Sequence, residues 1–248
     1  KYKNISNKMY SKSLKELNNK IFVKKKINKF YQIENISTEN EFSYKKITIK
    51  EPSNFNINEN YFYLFIDSGN FRLNKKIYKA KNLIFCKKLV SIKVEKEVIF
   101  YIFFFNKVQI PKMSKSIKLQ KSKVYLKSYK SKKKYWGSIL DLVNNKYGAI
   151  KIIHMKKKTQ SSMEFHIHKK ENYYLDYGIL DIGIRYSRAL NGLIKLKKNN
   201  SFLMKPGTMH MRMAKQDCKI IEMSTKDYDN DSIIVHDGKN YNFKMGKS

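Results

Sequence analysis

Arginine is the first thing this chain lacks. Of its 53 basic residues only Arg72, Arg185, Arg188 and Arg212 are arginine, and 20 acidic residues leave a formal charge of +33. A field of that size attracts polyanions, yet surfaces that read phosphates and bases lean on the two-pronged guanidinium. Alanine is scarce as well, while Lys, Asn, Ile, Tyr and Phe abound, the signature of coding drift toward AT-rich codons. Nucleic acid is therefore not the expected partner.

Cysteine is nearly absent. Cys86 and Cys218 sit inside apolar runs without a CxxC spacing, which argues for small buried hydrophobes and against a disulfide framework. Long apolar runs are missing too. A membrane helix needs ~18 apolar residues, and the closest stretch, "VIFYIFFF" at 98–105, has the length of a strand. No targeting segment is visible, and the expected location is the cytoplasm.

What is present is enough to fold. Hydrophobic residues make up 42% and aromatics 14% of 248 residues, sufficient for one large or two small domains with real cores. From about residue 42 onward, short runs of Ile, Val, Phe and Tyr alternate with Asn, Asp, Gly, Ser and Lys at intervals of roughly ten residues, the pattern of antiparallel sheets. Residues 6–30, with Leu14, Leu17, Ile21 and Phe22 near helical spacing, predict one N-terminal helix. The lysine-dense stretch 112–134 reads as a connection, with one strand near Val124–Leu126.

The chain also resembles itself. "NYFYLFIDSG" (60–69) matches "ENYYLDYG" (171–178), and "KAKNLIFCKKLVSIKV" (79–94) lies over "LKKNNSFLMKPGTMHMRM" (196–213). That alignment pairs Asn82 with Asn200, Lys87 with Lys205 and Ile92 with His210. The same β unit occurs twice, and polar residues in the second copy replace apolar ones in the first.

The second copy carries the chemistry. Along a strand, Glu164, His166 and His168 project to one side and Phe165 and Ile167 to the other. "KKEN" turns the chain and brings Glu171 back beside His166, and "KPGTMH" delivers His210 after a tight turn through Pro206 and Gly207. Imidazoles and carboxylates converging on a concave sheet suit a divalent cation: Zn, Fe, Mn or Ni.

These residues resemble the two motifs of the cupin superfamily. Glu164, His166, Glu171 and Gly178 follow the spacing of the first motif, and Pro206, Gly207 and His210 follow the second. From about residue 132 to 240 the chain is similar to the cupin-type phosphomannose isomerases. Trp136 and Gly137 stand at that domain's opening, Ser162 and His166 at its middle, and "IIEMSTKDYDNDSIIVHDGK" (220–239) at its close. His236 stands where the family has a closing arginine, and the family's terminal Tyr-Gly-Arg is missing.

The resemblance implies an all-β fold of double-stranded β-helix (jelly-roll) barrels, two in tandem. Its parts would be an N-terminal helical extension (1–41), a barrel without metal ligands (42–111), the connection (112–134), a metal-binding barrel (135–240) and a tail (241–248). It implies metal ligands at Glu164, His166, Glu171 and His210. Glutamate at 164, where the family has Gln or His, adds negative charge that would tighten the ion and make it less Lewis-acidic. His168 then becomes a fifth ligand or a proton carrier. The implied activity is aldose–ketose isomerisation of a sugar or sugar phosphate through a metal-stabilised enediolate. His168 and Lys205 are the candidate catalytic residues, and Arg185, Arg188 and Arg212 the candidate phosphate clamp. Two alternatives remain open: a non-catalytic sugar- or partner-binding cupin, and an Fe(II) cupin oxygenase. A homodimer paired through an outer sheet along 98–105 is the candidate assembly.

Overall fold

The structure, a computed structural model, describes residues 23–87, 90–105, 123–125, 131–186, 189–228 and 230–246. Its contacts divide the chain into two compact units, residues 24–128 and 129–248. Among the described residues all regular structure is β, and no helix is long and apolar enough to cross a membrane.

The first unit contains β1 (Lys24–Ile27), β2 (Tyr31–Thr38), β3 (Phe42–Ile49), β4 (Ser53–Ile57), β5 (Phe62–Ser68) and β6 (Asn70–Leu73). It continues through β7 (Lys76–Lys79), β8 (Leu83–Cys86), β9 (Val90–Val94), β10 (Val98–Phe105) and β11 (Lys123–Tyr125). The second contains β12 (Ser131–Lys134), β13 (Gly137–Asn145), β14 (Gly148–Met155), β15 (Met163–His166), β16 (Glu171–Tyr177) and β17 (Ile179–Tyr186). It closes with β18 (Gly192–Lys197), β19 (Ser201–Met204), β20 (Thr208–Ala214), β21 (Cys218–Ser224) and β22 (Ser232–His236).

The two units repeat the same strand order, except that β11 in the first has no counterpart in the second. Sheet order β1-β2-β3-β10-β5-β8-β11 in the first answers β12-β13-β14-β21-β16-β19 in the second, and β4-β9-β6-β7 answers β15-β20-β17-β18, to which β22 is added beside β15. Local devices repeat too. Asn82 and Asn200 each accept a backbone N–H through the side chain, from Lys79 at 3.0 Å and from Lys197 at 2.9 Å. Their carbonyls take Ile66 N–H at 3.0 Å and Leu175 N–H at 2.9 Å. Gly69 and Gly178 both hold positive φ, 77° and 95°, where a Cβ would strike a carbonyl oxygen at 2.4 and 2.3 Å.

Each unit buries its own core. Ile47, Ile49, Phe62, Leu64, Ile92, Val98 and Phe100 fill the first; Ile153, Tyr173, Leu175, Ile182, Ile184, Phe202 and Ile220 are central in the second. Cys86 and Cys218 are buried free thiols.

The N-terminal helix expected over 6–30 lies mostly outside the described residues, and its described end is a strand. Lys24–Ile27 pairs antiparallel with Gln32–Asn35. Asn28 turns the hairpin by accepting the N–H of Phe30 and of Tyr31 through its side chain, at 3.0 and 2.7 Å, which overrides a weak helical spacing. Both β1 and β2 thus fall inside a region expected to be an extension. Strand β10 is central in its sheet, and Tyr101 and Phe103 on the face opposite the core are themselves fully buried. Within 98–105 only Ile99 and Phe104 are partly exposed.

Candidate metal centre

Strand β15 runs only from Met163 to His166, and its one pair with β20 sets Glu164 opposite His210. Beyond His166 the chain leaves the sheet. The N–H groups of Ile167, His168 and Lys169 all donate to the buried Asp231 carboxylate, at 2.8, 2.9 and 2.8 Å, and Gly207 N–H donates to the His166 carbonyl at 2.7 Å. This clamp turns the chain so that β16 opens on Glu171 with its side chain facing inward. The side chains of Glu164, His166 and His210 each place a donor atom within 4.8 Å of the others. Two ligands about 2.1 Å from one tetrahedral ion lie about 3.4 Å apart, so small side-chain adjustments would close the set.

His210 is 1% exposed, and its Nδ1 lies 3.0 Å from the Thr208 carbonyl. A carbonyl only accepts, so Nδ1 carries the proton and Nε2 is the free nitrogen. Nε2 faces Glu171 Oε1 at 2.9 Å, a contact that needs a positive centre: a second proton or a metal. Burial opposes the charged ring, but Glu171 and then Glu164 outweigh it and raise the His210 pKa above the ordinary 6.5. His166 is buried with Nε2 3.7 Å from Glu171 Oε2, and its buried Nδ1 has no hydrogen-bond partner. An unpartnered imidazole nitrogen beside a proton-or-metal contact is what a nitrogen- and oxygen-ligated ion would satisfy.

Cations surround the two carboxylates. Glu171 accepts the Tyr173 hydroxyl on Oε1 at 2.6 Å and meets the Lys169 ammonium on Oε2 at 2.6 Å. Burial alone would raise its pKa, but Lys169 and His210 hold it well below the carboxylate range. The Lys169 ammonium, 4% exposed, also meets Glu222 at 2.9 Å and Asp227 at 3.4 Å. Lys151 joins the same acids, at 3.7 Å from Glu222 and in direct contact with Asp227. Glu164 meets the Arg212 guanidinium at 3.3 Å and accepts the Ser232 hydroxyl at 2.6 Å. Its pKa is likewise lowered, with burial outweighed by Arg212 and His210. Arg212 lies over the rings of Trp136 (5.3 Å) and Tyr173 (5.5 Å), and its backbone N–H donates to Ser161 Oγ at 3.0 Å.

The other residues picked from the sequence lie apart. His168 is exposed, 6.3 Å from and edge-on to the Tyr228 ring, because β15 ends at His166 and the strand alternation that would aim it inward ends there too. Lys205 is exposed at the turn into β20, and Arg185 is half-buried with Nε 3.3 Å from Met209 Sδ. Arg188 lies outside the described residues. Lys169, Tyr173, Glu222, Asp227, Asp231 and Ser232 were not foreseen. Glu222 did leave a signal: in "CKIIEMS" it shares a face with Cys218 and Ile220, and a carboxylate on an apolar face demands a buried partner.

The first unit supplies the control. Strand register places Phe55 opposite Ile92 where the second unit has Glu164 opposite His210, and Ile102 opposite Leu64 where it has Glu222 opposite Tyr173. By the same alignment Ile57 answers His166, Phe62 answers Glu171 and Val94 answers Arg212. Of these first-unit residues, Phe55 packs against the core and the others belong to it. Burying such a side chain is worth roughly 1.5–3 kcal/mol, so the second unit forgoes that wherever a charged or imidazole side chain replaces it, Tyr173 alone staying in the core, and must satisfy buried charges instead.

No protein-family model matches the chain, and no curated protein matches it in sequence. Solved structures do resemble it. The Lactobacillus farciminis oxalate decarboxylase in its formate complex aligns with a TM-score of 0.64 at 10% identity, covering 86% of this chain and 86% of that one. Oxalate decarboxylase from Bacillus subtilis at pH 4.6 aligns with a TM-score of 0.63 at 9% identity, over 86% of this chain and 76% of that one. Likeness at such identity establishes the fold alone, two jelly-roll units in tandem as in those two enzymes.

Proposed function

We propose that the second unit binds one divalent cation and acts on a small, oxygen-rich substrate, a sugar or sugar phosphate, by aldose–ketose isomerisation. The observation that carries the metal half is the convergence of Glu164, His166 and His210 in a barrel whose twin has Phe55, Ile57 and Ile92 at the same places. Zn, Fe, Mn and Ni all suit these donors. When bound, such an ion supplies Lewis-acid polarisation of carbonyl and hydroxyl oxygens.

The chain's own residues do the rest. The Glu164 side chain is 19% exposed and that of Glu171 1%, so a ligand entering from solvent meets Glu164 first. Glu164 is ionised at neutral pH, with Oε1 on Arg212 and Oε2 on Ser232, and is the site carboxylate a substrate meets; exposed His168 is badly placed to do so. Tyr173, kept protonated by burial, donates its hydroxyl to Glu171 and is no base. Trp136 and Tyr173 hold the Arg212 guanidinium against their ring faces. A second reading, binding or turnover of a small carboxylate, is favoured by the oxalate decarboxylases among the solved structures of this fold, one holding formate. The lysine coat is, in both readings, a solvated surface that should leave heparin at moderate salt.

The deciding experiment offers the metal-loaded protein mannose 6-phosphate, fructose 6-phosphate and oxalate, with oxygen uptake followed in parallel. Interconversion of the two sugar phosphates, abolished in His210→Ala, is the expected result. Turnover of oxalate alone, oxygen uptake with Fe(II), or metal binding without any turnover would each replace the isomerase reading.

A further inference from the structure

Each carboxylate of the site has a buried cation of its own. Glutamate at position 164 suggested a site that grips its ion tightly and dulls it, but the Arg212 guanidinium, 5% exposed, stands 3.3 Å from Glu164 Oε1. Seated on the faces of Trp136 and Tyr173 and tied by its backbone to Ser161, it has no room to swing away. Lys169 does the same for Glu171 Oε2 at 2.6 Å. Its ammonium has three N–H donors and three carboxylates around it, and its backbone N–H is fixed to Asp231.

The charges can be counted. Glu164, Glu171, Glu222 and Asp227 face Arg212, Lys169 and Lys151, which leaves one negative charge in excess. A divalent ion on neutral histidines turns that into one positive charge in a largely buried cluster, where an unbalanced charge is costly. An ion whose carboxylate ligands are already neutralised keeps most of its own field.

We propose that Arg212 and Lys169 are counter-cations for Glu164 and Glu171, so that the bound ion stays strongly electrophilic and completes its coordination with a small oxyanion, a carboxylate or phosphate oxygen of the ligand. This rests on the metal reading above and names the ligand class of that site.

The sign of one effect separates this role from a structural one. Removing a counter-cation hands the full carboxylate charge to the metal, so metal affinity rises; removing a mere scaffold loosens the ligands, so it falls. Mn2+ binding to the full chain would be measured by equilibrium dialysis, and acetate and inorganic phosphate binding to the loaded protein by the change in the Mn2+ magnetic-resonance signal. In R212Q, Mn2+ affinity should rise roughly tenfold and anion affinity fall by a similar factor, with R212K restoring both. The double variant K169M/E222Q removes one cation with one acid and should show the same two signs; it decides the matter if R212Q does not melt cooperatively. Preference for acetate or for phosphate tells which oxyanion the site is shaped for. Weaker Mn2+ binding in folded variants, or anion affinity unchanged, overturns the inference while leaving the metal site standing. Failure of the unaltered protein to bind Mn2+ removes the metal reading and this one with it.

Discussion

His210 shows how a single ring sets the pH behaviour of the site. Its Nδ1 proton is committed to the Thr208 carbonyl, so the Nε2 contact with Glu171 is made by a second proton until a metal takes its place. Glu171, with a lowered pKa, contributes stability that is present above its ordinary 4.5 and lost as pH falls through the folded value. His210, with a raised pKa, contributes stability that is full below 6.5 and lost as pH rises through the folded value. The metal-free protein should therefore melt highest between those limits, and His210→Gln should remove the decline on the alkaline side; thermal melts in chelator across pH check both. At this scale the sequence was informative where side-chain type and spacing carry the meaning, as with Glu164, His166 and His210. It was silent on Lys169, because nothing local to "HIHKKEN" says which of two adjacent lysines goes inside. Glu171 two positions on, with Glu222 and Asp227 far downstream, makes that choice.

Elements explain why the ligands meet and why His168 does not join them. Strand alternation was legible in "MEFHIH", but the end of β15 after His166 was not, since it depends on Asp231, more than sixty positions downstream, gathering three successive amides. Asp231→Ala should cost about 2–4 kcal/mol of stability in denaturant titration, because three N–H groups, that of Lys169 buried and the other two part-buried, lose a charged acceptor, and it should weaken metal binding as well; Asp231→Asn should fall between. Residues 237–246, which follow β22 and include most of the expected tail 241–248, make contacts with the second unit. Gln160 donates to the carbonyls of Gly238 and Tyr241, both at 2.6 Å, and the Phe243 ring fills the space that a Gly183 side chain would need, 2.5 Å from an added Cβ. Gly183→Val should displace this segment instead of the β17 backbone, seen as faster proteolysis beyond residue 238 with the metal site unchanged.

At the scale of the whole molecule, duplication is the organising fact. The pairing of Asn82 with Asn200 and of Ile92 with His210 was visible in sequence because turn chemistry and strand spacing are local, and the structure gives both copies the same turn and strand order. The exact extent of each barrel was less legible: β1 has the lysines of an extension and β2 few apolar residues, and only the pairing of β1 with β2 and of β2 with β3 places them in the first unit. With one chassis and two interiors, a metal should stabilise only the unit that has the polar set. Hydrogen exchange with and without Mn2+ should show added protection in β15, β16, β20 and the 167–169 loop, and none in β4, β5 and β9, their apolar counterparts.

The most direct test titrates the metal-free protein with Mn2+ while the signal of the free ion is followed. One ion should disappear per chain, with nitrogen couplings from two histidines, and the double variant His166→Ala/His210→Ala should take up none. An unaltered protein that leaves all the Mn2+ free, or a double variant that binds as well as its parent, would contradict the account.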